Sequence, residues 1–192
     1  MTTTPGQLAN RIIAIATDFV GLVEKEENSH WDDPHTPFPD SQKDAWLRKW
    51  MAKIPGWTPG APYCVAFDGG VIANAIQQLL GPDAMMKFAT VWTAHVMTNV
   101  RELGRRGLLE AKPAVGGVWF ARHGNTDMGH AGVVVDPAGT TIEANTSAGP
   151  TADPNEQRQG DGIWIRHFDL LQGRGTLRTQ GFISPTGILQ LL

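Results

Sequence analysis

Apolar residues recur at helical spacing in the first half of the chain and at strand spacing in the second. Residues 7–26, QLANRIIAIATDFVGLVEKE, set Leu8, Ile12, Ile15, Phe19 and Leu22 on one face and end in charge, which predicts an amphipathic helix. NSHWDDPHTPFPD (28–40) carries three Pro and three Asp and predicts a loop. SQKDAWLRKWMAKI (41–54) predicts a short helix, with Ser41 as N-cap and an acid, Asp44, three residues on. After the turn-rich PGWTPGAP (55–62), residues 62–80 predict a second strong helix. Val65, Val71, Ala75 and Leu79 share a face, and Pro62 suits a first turn. GP at 81–82 stops that run. Gly69 and Gly70 lie inside it, each at a cost of about 1 kcal/mol relative to Ala, so something must pack closely there. A further helix is expected around 91–104, before GRRG.

From about residue 115 the period changes. VGGVWFAR (115–122), HAGVVVD (130–136), TTIEANT (140–146), GIWIRHF (162–168) and RTQGFIS (178–184) are short β-branched or aromatic runs separated by turn residues. Helices first and strands second predict an α+β fold, N-terminal helices packed on a C-terminal antiparallel β-sheet. At 192 residues the chain fits a single domain, 1–192.

Composition narrows the function. A formal net charge of -3 and no basic stripe argue against nucleic acid as a partner. No apolar run approaches the ~20 residues that cross a bilayer, so membrane insertion is not expected. The opening MTTTPGQLANR lacks a basic region followed by an apolar stretch, so the expectation is synthesis in a cytoplasm without a signal peptide. A single cysteine, Cys64, excludes an internal disulfide and a cysteine-based zinc site.

Cys64 follows Tyr63 and falls in the first turn of the 62–80 helix, where the partial positive charge favours a thiolate. A nucleophilic thiol needs a base, and His130 has the best address among six histidines, opening HAGVVVD after a Gly- and Asn-containing loop. The next strand carries Glu143 and Asn145, two apart and therefore on one face, where they suit the orientation of an imidazole. Register decides whether that face is shared. If Asp136 pairs with Thr141, His130 lies opposite Ser147 and on the side of Glu143 and Asn145. If Asp136 pairs with Thr140, Ala144 takes that side unless a bulge compensates.

YCVAF at a helix start, then GGVWF, MGHAGVVV and IEANT, resemble the CHAP family of cysteine- and histidine-dependent amidohydrolases/peptidases. The likeness spans about residues 7–185. It implies a papain-like core, Cys64 as nucleophile, His130 as base, Glu143 as orienting residue and Asn145 as the polar residue two further on. It implies bacterial peptidoglycan as substrate and partner, cut at an amide bond of its peptide portion by a monomer that needs no cofactor. It fits a phage lysin, or an antibacterial effector with delivery machinery and an immunity protein as partners, acting at the cell wall. Some members bind calcium in an acidic loop before the cysteine; Asp32, Asp33 and Asp40 are the weak metal candidates here, although DDPHTPFPD lacks the alternating acids and Gly of a dedicated loop. Papain-like enzymes often supply a Gln upstream of the cysteine for the oxyanion, but residue 58 is Thr and no Gln lies between 43 and 76. The oxyanion donors are then the Cys64 N–H and a second group, for which the Trp57–Thr58 segment is the candidate.

Trp57 and Trp119 are expected to line a groove and His123 its rim. His95 reads as a satisfied, partly buried histidine of a helix, His167 as a surface residue, and His30 and His35 as loop residues beside the acids. Two other readings remain at this point. One is an intracellular cysteine amidase or peptidase on a non-wall substrate. The other is an inert papain-like binding module with a buried thiol.

Overall fold

A computed structural model describes residues 3–26, 28–146 and 162–192. Helix α1 (Pro5–Thr17) starts at a capping box: the Thr4 hydroxyl accepts from the Gln7 N–H, and the Gln7 side chain accepts from the Thr4 N–H. It ends at Thr17, short of the expected residue 26. The chain then turns through Gly21, at φ +91°, and enters strand β1 (Val23–Glu26). Phe19 and Leu22 stay buried through this turn, so the apolar spacing outlasts the helix that it suggested. The expected loop 28–40 contains a short strand, β2 (His30–Asp32).

Helix α2 (Gln42–Met51) begins where expected, with the Ser41 side chain accepting from the Asp44 N–H. Helix α3 begins at Cys64, two residues after Pro62, and runs to Leu80. GP is both a stop and a start: Gly81, at φ +89°, ends α3, and Pro82 opens α4 (Pro82–Val91). Helix α5 (Val96–Arg105) follows with His95 as N-cap, so the region expected as one helix from 91 holds a helix end, a turn and a helix start. Strands β3 (Val118–His123), β4 (Gly129–Asp136), β5 (Thr140–Thr146), β6 (Gly162–His167) and β7 (Leu177–Ile183) match the expected runs closely, and a short helix α6 (Pro185–Leu189) comes last.

The described strands form one antiparallel sheet in the order β2-β1-β6-β5-β4-β3-β7. Period-two alternation gives it two apolar faces. Val118, Phe120, Ala131, Val133, Ile142, Ala144, Ile163 and Ile183 share a core with the buried residues of the helices. Trp119, Ala121, Val134 and Phe182 form a smaller cluster on the other face, closed by Leu170 and Phe168 of the β6–β7 connection. The fold is thus mixed helix and antiparallel sheet, with the helices on one face. Among the described residues no helix is long and apolar enough to cross a membrane.

The axis of the molecule is α3, buried at every position from Cys64 to Ile76. Its two interior glycines have the expected cause. A methyl group at Gly69 would lie 2.6 Å from the Trp92 ring, and one at Gly70 would lie 3.3 Å from the Trp50 backbone. Trp92 also donates its indole N–H to the Val65 carbonyl at 3.2 Å, so α3 and the end of α4 are joined at the gap left by Gly69. Gly69→Ala should therefore destabilise the protein by roughly 1–3 kcal/mol, overpacking outweighing the gain in helix propensity. Gly104→Ala, in α5 with nothing near the added methyl, should stabilise by about 0.5–1 kcal/mol. Urea melts of the two variants beside wild type give both signs; a stabilised Gly69→Ala would contradict the packing.

Candidate active site

Three parts of the fold meet at one end of the sheet. Cys64 is the first residue of α3. The first backbone bond of that helix runs from the Phe67 N–H to the Tyr63 carbonyl, so the N–H groups of Cys64, Val65 and Ala66 lie ahead of the helical ladder. Tyr63, the N-cap, offers no side-chain bond to them. His130, buried near the start of β4, lies close enough to the Cys64 side chain to interact with it. Its Nε2 lies 2.8 Å from Glu143 Oε2, which leaves Nδ1 for the sulfur.

The strands reach this arrangement through a bulge. Asp136 pairs with Thr140, the register that by itself would bring Ala144 to His130's side. The pairing shifts between Val134 and Asp136, so that Val134 lies opposite Thr141 and Val133 opposite Ile142. That one-residue step moves Thr141 and Glu143 onto the face of His130. Ser147, its partner in the other register, lies outside the described residues. Gly132 completes the fit: a methyl group there would stand 2.6 Å from Glu143 Cγ.

Glu143 is wholly buried, and a buried carboxylate needs partners. Oε1 accepts from the Thr141 hydroxyl at 2.7 Å, and Oε2 accepts from His130 and from Arg174 Nη2. Arg174 comes from the β6–β7 connection, bonds Thr146 Oγ1 at 3.2 Å and lies over the Phe168 ring. Burial by itself pushes the Glu143 carboxyl upward, but the hydrogen bond and charge of His130, then Arg174 and Thr141, bring it down to about 2. Burial opposes a charge on His130, yet the hydrogen bond and charge of Cys64, followed by those of Glu143, raise it to about 9. The edge of Trp119 packs against the ring at 6.2 Å between centroids. The geometry therefore favours an imidazolium between a sulfur and a carboxylate.

One turn along α3 from Cys64 sits Asp68, wholly buried, with no hydrogen-bond partner on either carboxyl oxygen among the described residues. Burial first, then the proximity of Cys64, raises it well above the ordinary carboxylate range.

The triad opens on a cleft of about 230 Å³ whose lining includes Cys64, His130, Asn145, His95, His123 and Asp127. His123 is a wall of it and contacts Thr176 Oγ1 at 3.1 Å. His95 also lines it, exposed at the start of α5, where Nδ1 accepts from the Thr98 N–H; the expected partly buried role is not the one observed. Trp57 and Trp119, expected in the groove, are buried instead, Trp57 in the helical core and Trp119 behind His130. Thr58 is exposed and is not part of the cleft lining.

The acidic loop does not converge on a point. Asp32 accepts from the Phe38 N–H and lies 3.7 Å from Lys25; Asp33 accepts from the His35 N–H and pairs with Lys43 at 3.2 Å. Neither these two, nor Asp40, nor any other described residues form a group of three His, Cys, Asp or Glu able to hold a metal. His30 faces Asp44 and the Phe38 ring.

Sequence reasoning missed Arg174, Thr141, Gly132 and Asp68. Thr141 had a signal, since it shares the strand face of Glu143. Arg174, in LLQGRGTLR, had none beyond a cation between glycines. Against protein-family models, curated proteins and solved structures alike, the chain has no significant match.

The two shifts act on stability in opposite pH ranges. His130 is raised from 6.5 to about 9, so its contribution is complete below 6.5 and is lost as pH rises to about 9. Glu143 is lowered from 4.5 to about 2, so its contribution is complete above 4.5 and is lost as pH falls to about 2. The loss in stability of wild type from pH 6.5 to 9 should exceed that of His130→Gln, by an amount on the order of a few kcal/mol. Denaturant melts across that range test this; parallel curves would show that His130 is not held as a cation.

Proposed function

We propose that the chain is a papain-like cysteine hydrolase of the CHAP type that cuts amide bonds in the peptide portion of bacterial peptidoglycan. One observation carries the reading: a thiol at a helix N-terminus and an imidazole beside it line one open cleft, and the imidazole is hydrogen-bonded to a buried carboxylate. Those are the parts and order of a nucleophile, base and orienting group. The family and substrate rest on the resemblance of YCVAF, MGHAGVVV and IEANT.

In this mechanism His130 holds the proton taken from Cys64, and the thiolate attacks the amide carbon. The imidazolium then gives its proton to the leaving nitrogen as the C–N bond breaks, leaving a thioester. His130 next takes a proton from water, which attacks the thioester and releases the acid and the thiol. Glu143 keeps the ring's orientation throughout and stabilises its cationic form whenever it holds the second proton, and Arg174 and Thr141 keep Glu143 ionised. As a lysin or a delivered effector, the enzyme meets its substrate at the cell wall.

Digestion of purified sacculi, with mass analysis of the fragments, should give new amino termini with wild type. With Cys64→Ala or His130→Ala the yield should fall roughly 10³-fold or more while thermal unfolding stays cooperative. Full activity in Cys64→Ala would overturn the proposal. Activity of wild type on small amides with none on several sacculus chemotypes would keep the hydrolase and replace the substrate, favouring a non-wall amidase.

A further inference from the structure

We propose that His95 is a substrate-binding residue, whose Nε2–H donates a hydrogen bond to a carbonyl or carboxylate oxygen of the peptide held in the cleft. This rests on the cysteine-hydrolase reading above. His95 lines the same cleft as Cys64 and His130, and it is exposed there. Its neighbour Val96 packs on Gly129, the residue before His130: a methyl group at Gly129 would stand 2.6 Å from Val96 Cγ1. The start of α5 is thereby set against the strand that carries the reacting ring.

The first argument is the tautomer. As N-cap of α5, His95 accepts from the Thr98 N–H through Nδ1 at 3.4 Å, and the Thr98 hydroxyl lies 3.3 Å from the same atom. A ring nitrogen that accepts carries no proton, so the proton is on Nε2. That N–H has no hydrogen-bond partner among the described residues. Asp127 lies near the ring but is taken by Arg101 Nη1 at 2.8 Å. Ser, Thr, Asn or Asp would cap the helix with an oxygen alone. The imidazole adds a donor at its far end, which capping does not use.

The second argument is how firmly the fold holds an exposed side chain. Asn99 is 2% exposed and uses both ends of its amide on the turn before His95: Oδ1 accepts from the Thr93 N–H at 2.9 Å, and Nδ2 donates to the Thr93 carbonyl at 2.8 Å. The His95 N–H donates to Thr93 Oγ1 at 3.2 Å. The Ala94 N–H donates to the Pro55 carbonyl at 2.8 Å, which ties the turn to the segment whose Gly56 also lines the cleft. Arg101 joins Thr98 Oγ1, at 3.4 Å, to Asp127 of the β3–β4 connection. The imidazole is therefore in place before a ligand arrives, and it loses little freedom on binding one.

A peptide offers acceptors of two kinds, main-chain carbonyls and carboxylates, and a single N–H suits either. The bond forms away from the amide that breaks, so it is present in the bound substrate and kept in the transition state. Its loss raises KM and leaves kcat nearly unchanged. The fall in kcat/KM is roughly 3- to 10-fold for a carbonyl acceptor and roughly 10- to 100-fold for a carboxylate.

The test compares a substrate that has a peptide with one that has none. Soluble muropeptides, released from purified sacculi by a muramidase, are the first; p-nitrophenyl acetate, which acylates the thiol directly, is the second. His95→Asn keeps an oxygen for the helix cap and removes the donor at Nε2. In this variant kcat/KM on muropeptides should fall at least threefold, through KM, while acylation by the ester changes less than about twofold. Amidation of the muropeptide carboxylates then names the acceptor: a difference between wild type and variant that vanishes marks a carboxylate, and one that persists marks a carbonyl. Unchanged kcat/KM on muropeptides would overturn the assignment, as would equal falls on both substrates or a fall in kcat alone. Wild type that is acylated by the ester but leaves muropeptides intact would remove the wall substrate and this role with it. Wild type that is not acylated at Cys64 would remove the hydrolase reading itself, before any variant is compared.

Discussion

A carboxylate with no exposed surface sets the terms for this end of the molecule. Removing Glu143 from water costs several kcal/mol unless its oxygens are bonded and its charge is matched. The surrounding residues read as the answer to that constraint. Thr141 takes one oxygen, His130 and Arg174 share the other, and Gly132 leaves the space that the side chain fills. The matched charge on His130 is what makes the ring a partner for Cys64. Stability and the proposed chemistry therefore depend on the same pair.

Much of the architecture was legible because it follows from periodicity. The change from helical to strand spacing near residue 115 marks the change of element type, and the five expected C-terminal strands all exist. The gaps over Gly69 and Gly70 were legible as well, since a glycine in a helix interior needs a reason. What was misread shares one cause: apolar spacing reports burial, not backbone conformation. Phe19 and Leu22 remain in the core after α1 has ended, so the pattern extended the helix across a turn and a strand. β1 and β2 are too short and too polar to announce themselves. GP at 81–82 carries two meanings, and the helix that it starts was lost behind the helix that it ends.

At the site, the order Cys64, His130, Glu143 was readable because each residue type stands at an element boundary or strand face suited to its chemistry. The register was not. The connection between β4 and β5 has the length that defeats the arrangement, and only a bulge next to Asp136 restores it. Such a slip leaves no mark in a hydrophobic pattern whose neighbours are Val133, Val134 and Val135. Arg174 was illegible for another reason: it reaches Glu143 across 31 residues of chain, from a loop with no periodicity. Trp119 was read as a groove wall because it is large and aromatic, whereas strand parity turns it behind the imidazole.

The contact between Cys64 and His130 joins the helical layer to the sheet and carries the proposed chemistry. It is most directly tested by following the His130 ring by NMR in histidine-labelled protein, wild type beside Cys64→Ser, as pH is raised. With the contact present, the wild-type ring stays cationic until about pH 9, and the serine variant releases its proton at distinctly lower pH. A ring that titrates near 6.5 in both proteins would mean that the sulfur and the imidazole do not meet.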